Sequence, residues 1–313
     1  MDITKITGHY DSADKIHKIR YHIFYRPDTE PTGVVQIAHG MCDYFVRYSE
    51  MAEYLVNKGF VVCGNDHLGH GGSVNSDEEL GWFAKEKGWE YAVKDMYTLT
   101  KIMKAKYVGL PYFLIGHSMG SFLSRAYTTK YGKYLDGVIF MGTSGGVEIL
   151  PELLSIIDVM KKFHSDNYRS QHINKLVFGA YNRKIHPRRN DYDWVSRDDM
   201  ITDKFSADPK TNFIFTLNGF ENLGKVLWYV SNKKWYENYP VDLPTLLMSG
   251  SEDPVGNYGK GVEKVFKNLK KHDADVSVKI YDGARHELPN ETNRQEVFND
   301  VYNFLLDIKN KMC

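Results

Sequence analysis

A serine on a tight turn between a strand and a helix is the first chemistry this chain offers. Gly116-His117-Ser118-Met119-Gly120 follows the apolar run 112–115 and precedes a helical stretch over 122–127. Small residues at 116 and 120 let the backbone reverse sharply, leaving the serine hydroxyl exposed on a strained bend. The new helix also aims its N-terminal amides at negative charge developing on a substrate carbonyl. Ser118 is therefore the expected nucleophile.

Such a serine attacks poorly at its ordinary pKa and needs a base within hydrogen-bond reach. Behind a turn of this kind the acid and then the histidine follow along the chain. Of twelve histidines, that order leaves His272 and His286. His272 follows Lys270-Lys271 at the apparent end of a helix, a solvated position. His286 follows the alternating run 276–281 by a short loop, which sets it at the active end of a sheet, and it is the expected base. The acid belongs after the preceding strand, where Glu252 and Asp253 both stand. Asp253 is preferred, because Pro254 fixes the chain beyond it and its shorter side chain is held more tightly. Its work is to orient the imidazole and stabilise its charged form. The tetrahedral intermediate needs two amide donors, those of Met119 and of Met41 in the loop His39-Gly40-Met41. His39 braces that loop more readily than it binds a ligand. With Gly40 it borders the expected substrate pocket, to which Phe213, Phe220 and Val255 are also assigned.

These groups require a sheet to position them. The runs 34–38, 60–63, 112–115, 137–141 and 245–248 are short and almost continuously apolar, as in strands covered on both faces. Residues 16–25 alternate, with Ile19, Tyr21 and Ile23 on one face, as in a half-exposed antiparallel strand near an edge. Helical periods fall at about 44–57, 88–107 and 119–131. This βαβ rhythm predicts a doubly wound sheet with its chemistry beyond the carboxyl ends of the strands. The rhythm breaks over 146–238, which is rich in aromatics such as Trp194, Phe213, Phe215, Phe220, Trp228 and Tyr229 and shows no clear strand. That segment reads as an inserted cap between core segments 1–145 and 239–313. Its opening, 147–163, is apolar around most of its circumference and suits either a helix packed on the core or one that meets lipid.

Forty basic and forty acidic residues balance, which removes the electrostatic reason to expect nucleic acid as a partner. Cys42, Cys63 and Cys313 have neither disulfide-like nor zinc-like spacing and point to a reducing, cytoplasmic setting, possible membrane-surface contact being confined to the cap. No run approaches the ~18 apolar residues of a membrane span. His67 and His70 lack the further ligands a metal needs, and the glycines around them lack the Lys-Ser/Thr of a phosphate loop, so neither metal nor cofactor is expected.

Together these motifs resemble the monoacylglycerol lipase and lysophospholipase-like branch of α/β hydrolases, also labelled serine aminopeptidase-like, in its bacterial form. The similarity rests on His39-Gly40-Met41 with Arg47-Tyr48, on 66–73 (Asp-His-Leu-Gly-His-Gly-Gly-Ser) and on the Ser118 turn. It extends to Asp253-Pro254-Val255-Gly256, to 283–287 and, within the cap, to 193–198 and 207–209. Asp43-Tyr44 stands where many relatives have Glu-His, and Gly72 where many have Arg. The resemblance implies an α/β-hydrolase fold, a mostly parallel sheet of about eight strands with a mainly helical cap. It also implies hydrolysis of a carboxylic ester of the monoacylglycerol or lysophospholipid type. An aminopeptidase or amidase of the same fold is the alternative, with Glu221 or Asp203 available to hold a substrate amine; a non-catalytic ligand-binding relative is a third.

Overall fold

The computed structural model describes residues 2–312, so Cys313 lies outside the described residues. Its strands are β1 (Thr4–Asp11), β2 (Lys18–Tyr25), β3 (Gly33–Ala38), β4 (Phe60–Asn65), β5 (Tyr112–His117), β6 (Gly137–Met141), β7 (Thr245–Gly250) and β8 (Val276–Tyr281). They form one sheet in the order β1-β2-β4-β3-β5-β6-β7-β8. The pairs β1/β2 and β2/β4 are antiparallel and the others parallel. Chain direction across the sheet reverses at β3, which has β4 on one side and β5 on the other. A crevice therefore opens beyond the ends of β3 and β5, where ligands bind in open α/β sheets.

Every residue of β3 to β7 is buried. Successive side chains point to opposite faces of a strand, and each face has its own core. Val35 and Ile37 pack with Met51 and Leu55 of α1 (Ser49–Asn57) and with Val301 and Leu305 of α10 (Arg294–Met312). Val34, Leu114 and Val138 instead join Met96 of α2 (Gly88–Lys106), Leu123 of α3 (Met119–Tyr131) and Val265 of α9 (Lys260–Lys270). Two-sided burial is why these strands read as unbroken apolar runs. The expected helix over 44–57 begins as a 3₁₀ turn, Phe45–Tyr48, before α1.

Between β6 and β7 the chain is helical: α4 (Leu150–Met160), α5 (Gln171–Phe178), α6 (Asp199–Ala207), α7 (Leu217–Ser231) and α8 (Lys233–Glu237). These helices cap the carboxyl end of the sheet. Among the described residues no helix is long and apolar enough to cross a membrane. Cys42 and Cys63 are free, buried thiols.

β1 is the element the sequence pattern does not announce. Its inward face offers only Ile6 and Tyr10 as large apolar groups, so it is held by its ladder to β2 and by the turn at its end. That β1–β2 turn is anchored on Asp95 of α2: Ser12 Oγ donates to Oδ2 at 2.7 Å and the Ala13 amide to Oδ1 at 2.6 Å. Burial raises the Asp95 pKa to about 7, overcoming those two hydrogen bonds, which lower it. A carboxyl raised in the folded state binds a proton that the unfolded chain has released. Its stabilising contribution is complete below about pH 4 and is lost as pH rises towards 7. Asp95→Asn cannot titrate, so it should gain on the wild type by roughly 2 kcal/mol between pH 5 and pH 8. Urea unfolding of both proteins at the two pH values checks this; a stability difference that does not change with pH refutes it.

Candidate active site

Ser118 sits between β5 and α3 with φ 53° and ψ −122°, a backbone state that costs a non-glycine residue about 1–3 kcal/mol. Its surroundings enforce the state. A Cβ on Gly120 would collide with the main-chain oxygens of Ala38 and His39 at the end of β3, and one on Gly116 would meet Ser124 and the Gly120 oxygen. The first turn of α3 therefore lies directly on the start of the 39–44 loop. Gly40 in that loop is equally confined: a Cβ there would lie 3.2 Å from Ser118 Cβ and 3.3 Å from His117 Nδ1. Among the described residues, neither the Met41 nor the Met119 amide has a protein acceptor, so both remain free to donate to an oxyanion.

His286 and Asp253 come from the loops after β8 and β7. Asp253 Oδ1 accepts from His286 Nδ1–H at 3.0 Å and from the Val255 amide at 2.8 Å. Asp253 is fully buried and His286 is 3% exposed. Nε2 of His286 is buried with no protein partner, which leaves it available to a hydroxyl. Glu252, the alternative acid, is exposed, and His272, just beyond α9, stacks on Tyr236 and does not line the cavity of Ser118 and His286.

Ser118 and His286 share a cavity of about 1220 Å³ with Gly40, Met41, Met119 and Asp43. From the expected pocket set, Gly40, Phe213, Phe220 and Val255 line it; His39 does not. His39 is buried as a brace, with its Nδ1 2.8 Å from the Gly40 oxygen and its Nε2 accepting the His67 amide at 2.8 Å. Burial holds its pKa near 3, so the ring is neutral. Trp194 lines the cavity too, 5.1 Å from the His286 ring. Phe215, Trp228 and Tyr229 do not line it: Phe215 is buried against Phe83, Tyr229 packs on Trp89, and Trp228 faces solvent.

The loop 66–73 is scaffold. Asp66 accepts the amides of Phe45 at 3.0 Å and Gly72 at 2.8 Å, tying this loop to the turn after the 39–44 loop. Burial raises its pKa, but the His22 ring, its Nε2 3.9 Å away, and the nearby His39, with these amides, outweigh that and bring it to about 2. Among the described residues no three candidate ligands gather for a metal. The space beside Gly72 is filled by Arg20, whose Nε would lie 2.5 Å from a Cβ there.

Cap segment 193–198 clamps the histidine loop. Arg285 Nη1 donates to the oxygens of Asp193 at 2.7 Å and Ser196 at 2.9 Å, and the Glu287 amide donates to the Val195 oxygen at 2.8 Å. Arg197 Nε donates to Glu291 Oε2 at 2.9 Å. Sequence reasoning missed the partners of Arg47. Its guanidinium forks onto Glu287 at 2.6 and 2.7 Å and also reaches Asp43 at 2.9 Å. The i,i+4 spacing of Asp43 and Arg47 was a usable signal; Glu287, 240 residues away, carried none.

The family model for serine aminopeptidase, S33, matches residues 29–293. The monoacylglycerol lipase of Mycolicibacterium smegmatis is 27% identical over 286 residues, covering 90% of this chain and 90% of that one. A monoglyceride lipase homolog of Monkeypox virus is 26% identical over 273 residues, 87% of this chain and 88% of that one. Among solved structures, a thermostable carboxyl esterase from Bacillus coagulans in complex with glycerol superposes with a TM-score of 0.91, at 29% identity over 99% of both chains.

Misplacing reacting groups by about 1 Å can cost 100-fold in rate. Gly40→Ala should therefore lower kcat/KM on a p-nitrophenyl ester by roughly 100-fold with the melting temperature little changed. Steady-state kinetics beside a thermal melt check this, and wild-type turnover from a folded variant refutes it.

Proposed function

Because the chain belongs to the serine aminopeptidase, S33 family of α/β hydrolases, we propose that it hydrolyses a monoacylglycerol or lysophospholipid ester through Ser118, His286 and Asp253. The observation that carries this reading is the 3.0 Å bond from His286 to Asp253, with the unpartnered Nε2 of His286 in the cavity that Ser118 lines. Ser118 Oγ attacks the ester carbonyl while His286 Nε2 takes its proton. Asp253 holds the ring in the tautomer that leaves Nε2 free and stabilises the imidazolium. The amides of Met41 and Met119 receive the oxyanion, each worth about 100-fold or more in turnover. His286 then protonates the departing alcohol. A water deprotonated by His286 attacks the acyl-enzyme and releases the acid.

The acyl chain is accommodated by apolar lining from the cap: Leu150, Leu153, Phe220, Leu223 and Leu227. This favours an ester of a fatty acid over a peptide. An aminopeptidase needs a cap carboxylate facing the substrate amine. Glu221 is occupied by Lys161 at 2.6 Å and Lys225 at 2.5 Å, Asp203 by Arg189 at 3.1 Å, and neither lines the cavity; of the cap carboxylates that do line it, Asp191 is paired with Arg188 and Glu148 is exposed to solvent. Ser118→Ala should abolish labelling by a fluorophosphonate probe and lower esterase turnover by about 10⁴-fold or more. Labelling of the variant at the wild-type rate would sink the assignment. Activity on p-nitrophenyl acyl esters should greatly exceed that on aminoacyl-p-nitroanilides, and the reverse order would favour the aminopeptidase reading.

The cap also supports contact with a lipid surface. Val147, Ile149, Ile156, Val159 and Phe163, at and around α4, face solvent, Phe163 at 79% exposure. Contiguous exposed apolar groups mark interaction sites. Val159→Ser with Phe163→Ser should lower turnover of monoacylglycerol dispersed in vesicles several-fold while sparing soluble p-nitrophenyl butyrate. Equal effects on the two substrates would refute the surface contact.

A further inference from the structure

The loop that carries Met41 is held from two sides. Its inward residues belong to the core: Gly40 lies against Ser118 and His117, and Asp43 accepts from Arg47 at 2.9 Å and from the Tyr48 hydroxyl at 2.7 Å. The residues on either side of Asp43 reach the other way, into the cap. Tyr44 OH donates to Asp208 Oδ2 at 2.7 Å, and the Cys42 thiol donates to the main-chain oxygen of Phe213 at 3.2 Å. The hydrolytic steps use neither side chain.

Cys42 adopts φ 49°, left-handed backbone that disfavours a residue with a Cβ. Such strain persists only where the surroundings over-determine it. Glycine would adopt this state freely, but it would lose the thiol that joins the loop to the cap. Burial pushes the thiol pKa well up, so Sγ keeps its proton and its donor. The bond from Tyr44, one of the positions where the sequence departs from the family pattern, ends on a carboxylate, the stronger kind of acceptor. The receiving segment is itself closed into a turn. The Asp208 main-chain oxygen accepts the amides of Thr211 at 3.0 Å and Asn212 at 2.8 Å, its Oδ1 accepts the Lys210 amide at 2.8 Å, and Thr211 Oγ1 donates to the Phe205 oxygen at 2.6 Å. Phe213, at the end of this turn, lines the same cavity as Met41.

We infer that cap segment 208–213 is part of the oxyanion site: through Tyr44 and Cys42 it fixes the loop from which the Met41 amide projects. This rests on the Met41 amide receiving the oxyanion, as proposed above. Tyr44 and Cys42 are positioning residues that act through the backbone of Met41, and the cap contributes to turnover as well as to substrate binding. Without the two tethers the loop keeps its core contacts and loses its outer support. A donor displaced from its aim gives up part of the stabilisation it offers the transition state.

The eleven methionines make the donor observable. In protein labelled with ¹⁵N at methionine, the amides of Met41 and Met119 are assigned by the signals missing in Met41→Leu and Met119→Leu. The probe is an alkyl trifluoromethyl ketone, to which Ser118 Oγ adds to give a tetrahedral oxyanion. Both amide signals should move downfield in the wild type. In Tyr44→Phe with Cys42→Ala, the Met41 movement should be no more than about half as large, with that of Met119 unchanged. Tyr44→Phe alone, which removes a single oxygen, gives the same comparison where the double variant does not fold. An equal Met41 response in wild type and variant overturns the inference. Failure of the underlying oxyanion assignment looks different: the Met41 signal would then stay put in the wild type as well. Kinetics give a second reading. On p-nitrophenyl butyrate, kcat should fall on the order of 10-fold for the double variant and about 3-fold for Tyr44→Phe, with KM within about 2-fold. Asp208→Asn still offers the Tyr44 hydroxyl a hydrogen-bond partner and should stay within about 2-fold of the wild type. A loss in Asp208→Asn as large as in Tyr44→Phe, or wild-type kcat from the folded double variant, overturns the inference.

Discussion

The structure depends on one close approach, that of Gly120 to the carbonyl oxygens of Ala38 and His39. No side chain fits there, so the first turn of α3 rests on the end of β3 and the nucleophile turn is set against the loop carrying Met41. Neighbouring parallel strands lie about 4.8 Å apart, which brings the two loops within reach of one carbonyl group. The strain at Ser118 persists because the sheet and the helix over-determine it. The fully buried strands β3 and β5, paired over five residues from Val34↔Tyr112 to Ala38↔Gly116, supply that rigidity.

A second constraint is electrostatic. Burying Asp43, Arg47 and Glu287 gains little net stability over an apolar core, since desolvating each charge offsets most of the attraction. What such a cluster supplies is directional fixing. The guanidinium fork accepts only one relative placement of the two carboxylates, and Glu287 stands 240 residues along the chain from Arg47. Losing one partner would leave an uncompensated buried charge, which costs far more than the intact cluster contributes. The distance between the oxyanion loop and the histidine loop is thereby held to a narrow range.

The range of each interaction along the chain decides how much of this was legible in the sequence. The nucleophile turn, the doubly buried strands and the candidate acid and base were legible because their signals are local: glycine spacing, apolar runs, and loops at strand ends. The geometry pairs Asp253 with His286 and leaves Glu252 exposed, the order of preference that Pro254 and the shorter side chain suggested. β1 escaped because an edge strand with one weakly apolar face carries no local mark. His39 was assigned to the pocket border from its neighbours in the chain, whereas its ring turns inward to receive the His67 amide. Arg20 filling the space beside Gly72 joins β2 to a distant loop, and no local pattern encodes that.

The cap is held unequally, and this bears on how a substrate enters. Segment 193–198 is tied to the histidine loop by Arg285, Arg197 and the Glu287 amide, while Tyr44 OH donates to Asp208 and the Cys42 thiol to the Phe213 oxygen. Moving this half would break bonds that also hold the catalytic loops, so access by that route would dismantle the site. The half containing α4 and α5 differs: α4 buries Leu150 and Ile157 but turns Ile156 and Val159 to solvent. On the reading proposed above, displacement of α4 would leave the Asp253–His286 bond and the amides of Met41 and Met119 untouched. On the same reading it would also present apolar side chains to a lipid surface, so that substrate entry and integrity of the site would fall to different halves of one cap.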